Sequence, residues 1–291
     1  MTDVQGRRDE RRARVREEGR AILVVLGWAV LAAAAWLAFG AIAIGELGKD
    51  RGWPVWWFVG ASIPAGVVIA LMRRASRGEP RLRDRILWAF LVGGAISIGI
   101  GATLNGLLIV GDIESGPIWW VGITEEGAKL VTALALAGGI AKTFRTGAML
   151  GAAVGFGFAV AEDAGYFFGQ YVEGMTGWAE QAEFVVTRAL VGGGMHALFS
   201  ALIVGAVAAA WGRPSARRIL GALLTALLVA AIHSGYDWVL MNGYFGLVDD
   251  LAFEPTDLLT IGLQLVLLLV LLLVLRRSGR APEPAGSSLE R

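Results

Sequence analysis

The sequence contains no cysteine, and this absence excludes disulfide bonds, thiolate metal ligands and a cysteine nucleophile. Histidine is almost as scarce, with two residues in a chain of 291. Charged residues make up 18% of the chain and hydrophobic residues 56%, whereas about 25% of a soluble domain is charged. The mean hydropathy of +0.61 agrees with this imbalance. The composition therefore predicts a protein that crosses a membrane several times.

Apolar runs of about twenty residues fill most of the chain, and each is long enough to cross a hydrocarbon core roughly 30 Å thick as a helix. The runs are continuous rather than alternating, which indicates helices and not a barrel. We therefore predict an all-α, polytopic membrane helix bundle. Its eight predicted transmembrane helices cover residues 21–46, 54–72, 86–111, 118–140, 146–169, 184–210, 217–241 and 257–275.

The segments that connect these runs alternate in charge. Seven arginines lie among the first twenty residues, and basic residues recur in every second connector and in the tail. The other connectors carry mainly Asp and Glu, so the positive-inside rule predicts that both termini are cytoplasmic. We expect a basic N-terminal segment at 1–20, one transmembrane domain at 21–275 with a motif-bearing core at 115–241, and a disordered tail at 276–291.

Four consecutive runs contain ionisable residues within their apolar stretch. A charge at the bilayer centre costs roughly 2.5 to 3.5 kcal/mol, so such residues mark functional sites by default. At a rise of about 1.5 Å per residue, the four positions fall in one layer, slightly to the outer side of the midplane. A common depth predicts one joint site. Its candidates are Glu125, Glu126, Lys129, Glu162, His196, His233 and Asp237.

Sequence spacing suggests partners for some of these residues. Lys129 follows the two glutamates by three and four positions, so we expect it to be a charge partner rather than a catalyst. Asp237 follows His233 by four positions, which would let its carboxylate accept a hydrogen bond from the ring and fix the tautomer. Proximity of Asp237 to the outer interface explains its position equally well.

Other residues near the layer have simpler interpretations. We interpret Asp163 as a packing or interfacial residue, and Arg188, near the outer end of its run, as snorkelling to the surface. Tryptophans at the predicted outer boundaries, among them Trp56 and Trp57, are interpreted as interfacial anchors.

Carboxylates beside neutral histidines supply a general base for water and ligands for a divalent metal, so the layer predicts hydrolysis within the membrane. The sequence has neither an H-E-x-x-H zinc helix nor a G-x-S-x-G nucleophile turn. A dyad of Ser200 with His196 is an alternative, but it would leave the acidic residues unexplained.

The ordered set of motifs resembles the PrsW intramembrane proteases, which are related to the CAAX-protease membrane enzymes. E-E-x-x-K at 125–129 and F-x-x-x-E at 158–162 are followed by His196 and by H-x-x-x-D at 233–237, one motif per consecutive run. The resemblance covers about residues 115–241. The first three runs and the last contribute no motif.

The resemblance implies an endopeptidase that cuts single-span membrane proteins, in well-studied members at an extracytoplasmic site of an anti-sigma factor. It implies that Glu125 and Glu126 activate the attacking water. It also implies that Glu162, His196 and His233 bind a metal or stabilise the oxyanion. Zinc is the expected metal, since two histidines and a glutamate form a catalytic zinc set, and a glutamate mechanism without metal is the alternative.

The implied location is the plasma membrane, with multiple passes, and abundant Gly, Ala and Arg beside few Lys favours a bacterial source. The expected partners are a single-span membrane protein substrate and the lipid bilayer, with no nucleic acid. A proton- or cation-coupled transporter would use the same buried layer, although no convincing internal repeat supports it. A non-catalytic scaffold is a third reading, and it would tolerate loss of the glutamates.

Overall fold

The computed structural model is helical, with short turns and without strands among the residues that it describes. This confirms the predicted all-α class. The described residues are 16, 19–20, 22–38, 40, 49–108, 117–140, 142–172, 178–242 and 255–278. Most of the predicted cytoplasmic N-terminal segment and tail lies outside them.

Ten helices can be numbered along the described residues. Two π-helical turns, Ala89–Gly93 and Arg188–Gly192, join α3 to α4 and α7 to α8, and a 3-10 turn, Pro117–Trp120, leads into α5. The helices are α1 (Ile22–Ala38), α2 (Lys49–Ala75), α3 (Pro80–Trp88), α4 (Gly94–Leu108), α5 (Val121–Leu136), α6 (Phe144–Val172), α7 (Trp178–Thr187), α8 (Gly193–Gly212), α9 (Ala216–Asn242) and α10 (Pro255–Ser278).

Helical structure falls in every one of the eight predicted apolar runs. Within the described part of the chain, five stretches are long and apolar enough to cross a membrane. They are Trp56–Ala75, Pro80–Leu108, Phe144–Gly169, Gln181–Gly212 and Ala216–Val239.

The remaining three runs form shorter helical stretches. Ile22–Ala38 and, within α10, Thr260–Leu275 are shorter apolar stretches, and α5 has 16 residues, three of them ionisable. Sixteen residues rise about 24 Å, less than the bilayer core. The chain is therefore a multi-pass membrane protein, and a total of eight spans with both termini inside stays a prediction.

The described residues divide into two compact units, one within 1–84 and 160–190 and the other within 85–159 and 191–291. The first unit is built around tryptophans. Trp36 and Trp56 stack with ring centroids 4.5 Å apart, and each indole N–H donates to the other's backbone carbonyl, at 2.7 and 2.9 Å. The prediction that Trp56 and Trp57 are interfacial anchors is wrong, because both side chains are buried in this cluster.

In the second unit, glycines let the helix backbones approach closely. Added Cβ atoms at Gly151 and Gly155 of α6 would collide with the carbonyl oxygens of Ser200 and His196 on α8. Small residues at such positions are what allow helices to pack tightly in a membrane. The packing of α6 therefore fixes the part of α8 that carries His196.

Candidate active site

Three helices of the second unit bring their ionisable side chains together in its interior. α5 contributes Glu125, Glu126 and Lys129, α8 contributes His196, and α9 contributes His233. All five residues are buried, and Lys129 is 0% exposed. Ionised groups away from water are tolerated only when they are paired, so the contacts of each residue indicate its role.

The start of α5 is fixed against α9 by its second residue. The Gly122 N–H donates to the Ser234 hydroxyl at 3.0 Å, and that hydroxyl donates to the Trp119 carbonyl at 2.9 Å. A side chain at Gly122 would collide with the Ala230 carbonyl, so the approach depends on glycine. Because Ser234 follows His233 in the chain, this contact holds the glutamates of α5 beside that histidine.

Lys129 contacts both glutamates and one histidine. Its Nζ lies 2.8 Å from Glu126 Oε1 and 3.5 Å from Glu125 Oε2. It lies 2.9 Å from His196 Nδ1. The ammonium is also 3.9 Å from the centre of the Phe158 ring, in a cation–π contact. One buried cation thus contacts two carboxylates and an imidazole.

The contact with Lys129 determines which ring nitrogen of His196 carries a proton. An ammonium only donates, so Nδ1 must accept, and a neutral imidazole that accepts at one nitrogen carries its proton on the other. Nε2 is therefore an N–H group in this arrangement, and neither nitrogen offers a lone pair to a metal. Metal binding by His196 requires that this hydrogen bond be broken.

His233 lies close to three carboxylates. Its Nδ1 lies 3.0 Å from Glu126 Oε1, while its Nε2 lies 3.7 Å from Glu125 Oε2 and 3.6 Å from Asp237 Oδ2. The contact with Glu126 is the shortest of the three, although its geometry at Nδ1 is not that of a hydrogen bond. The predicted orienting contact from Asp237 is longer than a hydrogen bond. Glu126, not Asp237, is the carboxylate nearest to this ring.

Ser200 also belongs to the surroundings of Glu126. Its hydroxyl donates to Glu126 Oε2 at 3.2 Å. Glu126 therefore meets a lysine, a histidine and a serine, and both of its oxygens are engaged. In the alternative dyad this hydroxyl would face His196, whereas here it faces the carboxylate.

Glu125 has a partner that the sequence analysis missed. Asn105 of α4 places its Nδ2 3.2 Å from Glu125 Oε1, and the Thr124 hydroxyl bonds to Asn105 Oδ1. The sequence does contain a signal for Asn105, because its side-chain amide lies within an otherwise apolar run. The glutamates were identified as candidates for the same reason.

Glu125, His196 and His233 form a group that could hold a metal ion. One ligand atom from each lies within 4.8 Å of the other two. Two histidines and one glutamate match the donor set of catalytic zinc sites, so the chemistry fits, provided that Lys129 releases His196. The resemblance assigned Glu162 to this set, but the carboxylate that the structure brings to the two histidines is Glu125.

Glu162 lies in the first unit, where it shares an arginine with its neighbour. Arg188 Nε is 2.8 Å from Asp163 Oδ1, and its Nη2 is 3.2 Å from Glu162 Oε2. The guanidinium also lies 4.0 Å from the centre of the Tyr166 ring. The interpretation of Arg188 as snorkelling is therefore wrong, because its side chain is 19% exposed and pairs with Asp163. Asp163 is 2% exposed, which agrees with the packing interpretation and not with the interfacial one.

The sequence model of the PrsW family intramembrane metalloproteases matches residues 79–275, well over half of the chain. The chain belongs to the PrsW family. The match runs from α3 to α10 and includes every residue of the buried group. Comparisons with curated proteins and with solved structures found no match.

PrsW family membership supports an intramembrane protease and does not favour the transporter reading. The family is described as metalloproteases, and the buried Glu125, His196 and His233 provide a group that can bind a metal. Hydrolysis by a multi-pass membrane protein is thus the general activity.

Proposed function

We propose that this PrsW family member is a zinc-dependent endopeptidase that hydrolyses a peptide bond of a membrane-anchored protein. The observation that carries the proposal is the meeting of Glu125, His196 and His233, from three helices, within 4.8 Å in a buried position. These residues would hold the metal. Zinc, when bound, would act as a Lewis acid on the scissile carbonyl and lower the pKa of a bound water.

Glu126 is proposed as the proton acceptor for the attacking water. It neighbours Glu125 in the chain, it is buried, and its carboxylate contacts Lys129, His233 and Ser200. A base must be held close to the proton that it abstracts, and three contacts restrict the movement of this carboxylate. The Lys129 ammonium, 2.8 Å away, stabilises the negative charge of Glu126 before the proton arrives.

The proposed substrate is a single-span membrane protein of the anti-sigma factor type, cut near the outer face of the plasma membrane of a bacterium. Glu125 lies in the second turn of α5, and the predicted topology puts the start of α5 on the outer side. Backbone carbonyls in a substrate helix are hydrogen-bonded, so that helix must unwind locally before hydrolysis.

The test is cleavage of a tagged single-span protein in proteoliposomes that contain the purified protease. We expect Glu125→Gln and Glu126→Gln each to lower the cleavage rate by more than about 10³-fold. Glu183→Gln is the matched control, since this exposed carboxylate on α7 lies outside the buried group. Unchanged cleavage by both single variants and by the double variant would refute the proposal.

A further inference from the structure

α4 supplies an amide to Glu125, although the run that contains it carries no family motif. Asn105 Nδ2 lies 3.2 Å from Glu125 Oε1. The carboxylate only accepts hydrogen bonds, so the amide nitrogen, and not its oxygen, must face Glu125. The chemistry of the two partners therefore sets the orientation of the amide.

The other end of the same amide is held by the residue that precedes Glu125. Thr124 bonds through its hydroxyl to Asn105 Oδ1, and Thr124 is itself buried. The hydroxyl donates to this oxygen, and a reversed amide would set oxygen against oxygen at the Glu125 carboxylate. Two successive residues of α5 thus clamp Asn105 in one orientation.

The backbones of α4 and α5 are close at this point. A Cβ added to Gly101, one helical turn before Asn105, would lie 3.5 Å from Glu125 Cγ and 3.7 Å from Glu125 Cα. The same Cβ would lie 3.3 Å from the Phe158 ring. Glu125 therefore lies within van der Waals reach of this face of α4, and Asn105 is the side chain on that face that bonds to it.

We propose that Asn105 is a positioning residue for the hydrolytic reaction. It holds Oε1 of Glu125 and so presents Oε2 to His233 Nε2 at 3.7 Å and to Lys129 Nζ at 3.5 Å. The inference rests on the proposed function, because it assigns to Asn105 the orientation of a residue in the metal-binding group. Partners of this kind change metal affinity or activity by about 10- to 100-fold when they are lost.

The first experiment measures kcat and KM for cleavage in proteoliposomes with Asn105→Leu and Asn105→Asp, which remove the donor at similar volume. We expect kcat to fall about 10- to 100-fold with KM within about twofold. Asn105→Gln keeps the amide and should recover part of kcat. Thr103→Ala is the matched control, since its exposed hydroxyl on α4 bonds to the Gly99 carbonyl at 2.7 Å.

The second readout is binding of Co²⁺ to the purified variants, measured by visible absorption. Asn105→Leu should bind Co²⁺ about tenfold more weakly than the wild type, and Thr103→Ala should bind it equally well. Thr124→Val, which removes the clamp without touching Asn105, should lie between them. This variant keeps the test decisive if an Asn105 variant fails to fold.

Unchanged kcat and Co²⁺ affinity in Asn105→Leu would overturn the positioning role, as would a rise in KM alone. An equal loss in Thr103→Ala would also overturn it, because the effect would then be general to α4. Failure of the proposed function has a different signature, namely full activity in Glu125→Gln. If Glu125→Gln is inactive and Asn105→Leu is fully active, the positioning role alone is refuted.

Discussion

Lys129 Nζ lies 2.9 Å from His196 Nδ1, so a cation of the chain itself occupies one of the two histidines of the proposed metal site. The same ammonium lies 3.5 Å from Glu125, another member of that group. Lys129 and a bound metal ion would therefore compete for His196. In the metal-free protein, the ammonium neutralises the negative charge of the buried carboxylates.

Removal of this cation should strengthen metal binding. We expect Lys129→Met to lower the Kd for Zn²⁺ or Co²⁺ by at least about tenfold, because a like charge and a competing donor are both lost. Isothermal titration in detergent measures this directly. Lys142→Met is the matched control, since Lys142 lies over the Trp211 ring and away from the group.

The two histidines also allow a spectroscopic check, because ¹⁵N labelling of histidine gives signals from just these two rings. In metal-free wild type, His196 should show an unprotonated Nδ1. Weaker metal binding in Lys129→Met, or a proton on Nδ1 of His196 in the metal-free wild type, would contradict the competition.

The variant Ser200→Ala distinguishes two roles of Ser200, namely a hydrogen-bond donor to Glu126 and a nucleophile. The hydroxyl donates one hydrogen bond to Glu126 Oε2, so its loss should lower kcat by about tenfold or less. Loss of a nucleophile would instead cost more than about 10³-fold. Single-turnover cleavage in proteoliposomes measures the difference, and an inactive but folded Ser200→Ala protein would favour the dyad.

Glu162 should matter for stability more than for chemistry. Its carboxylate lies 3.2 Å from Arg188, so we expect Glu162→Gln to keep cleavage within about tenfold of the wild type while Glu125→Gln loses it. The same cleavage assay compares the two variants. If Glu162→Gln and Glu125→Gln were equally and completely inactive, Glu162 would have to take part in the reaction.

The arginine of this cluster should be more important for folding than either acid alone. Arg188→Met leaves the buried Asp163 carboxylate without its guanidinium, and we expect a loss of about 3 kcal/mol in the free energy of unfolding. Unfolding of the detergent-solubilised protein measures it. The double variant Arg188→Met with Asp163→Asn should recover part of the loss, and a single variant as stable as wild type would contradict the account.

Depth along a helix follows from residue number, and for this reason the sequence predicted that Glu125, His196 and His233 would occupy one layer. The neighbours of each side chain depend on helix rotation and packing, which residue spacing does not determine. Glu162 was assigned to the metal group by its motif, but its helix also carries Asp163, and the pair meets Arg188.

Local spacing was a better guide for Lys129 than for Asp237. Residues three or four apart on one helix can meet, and Lys129 lies within ion-pair distance of both glutamates. Asp237 has the same spacing from His233, yet Glu126 from another helix is closer to the ring. Residue spacing within one helix does not identify partners on other helices, such as Glu126 beside His233 and Asn105 beside Glu125.

The central claim is that Glu125, His196 and His233 hold one catalytic metal ion. Elemental analysis of purified protein whose cleavage activity has been verified tests it most directly. The account predicts about one zinc ion per chain in the wild type and loss of that ion in the His196→Ala, His233→Ala double variant and in Glu125→Gln. Fully active wild-type protein without stoichiometric metal would contradict it and favour hydrolysis by the glutamates alone.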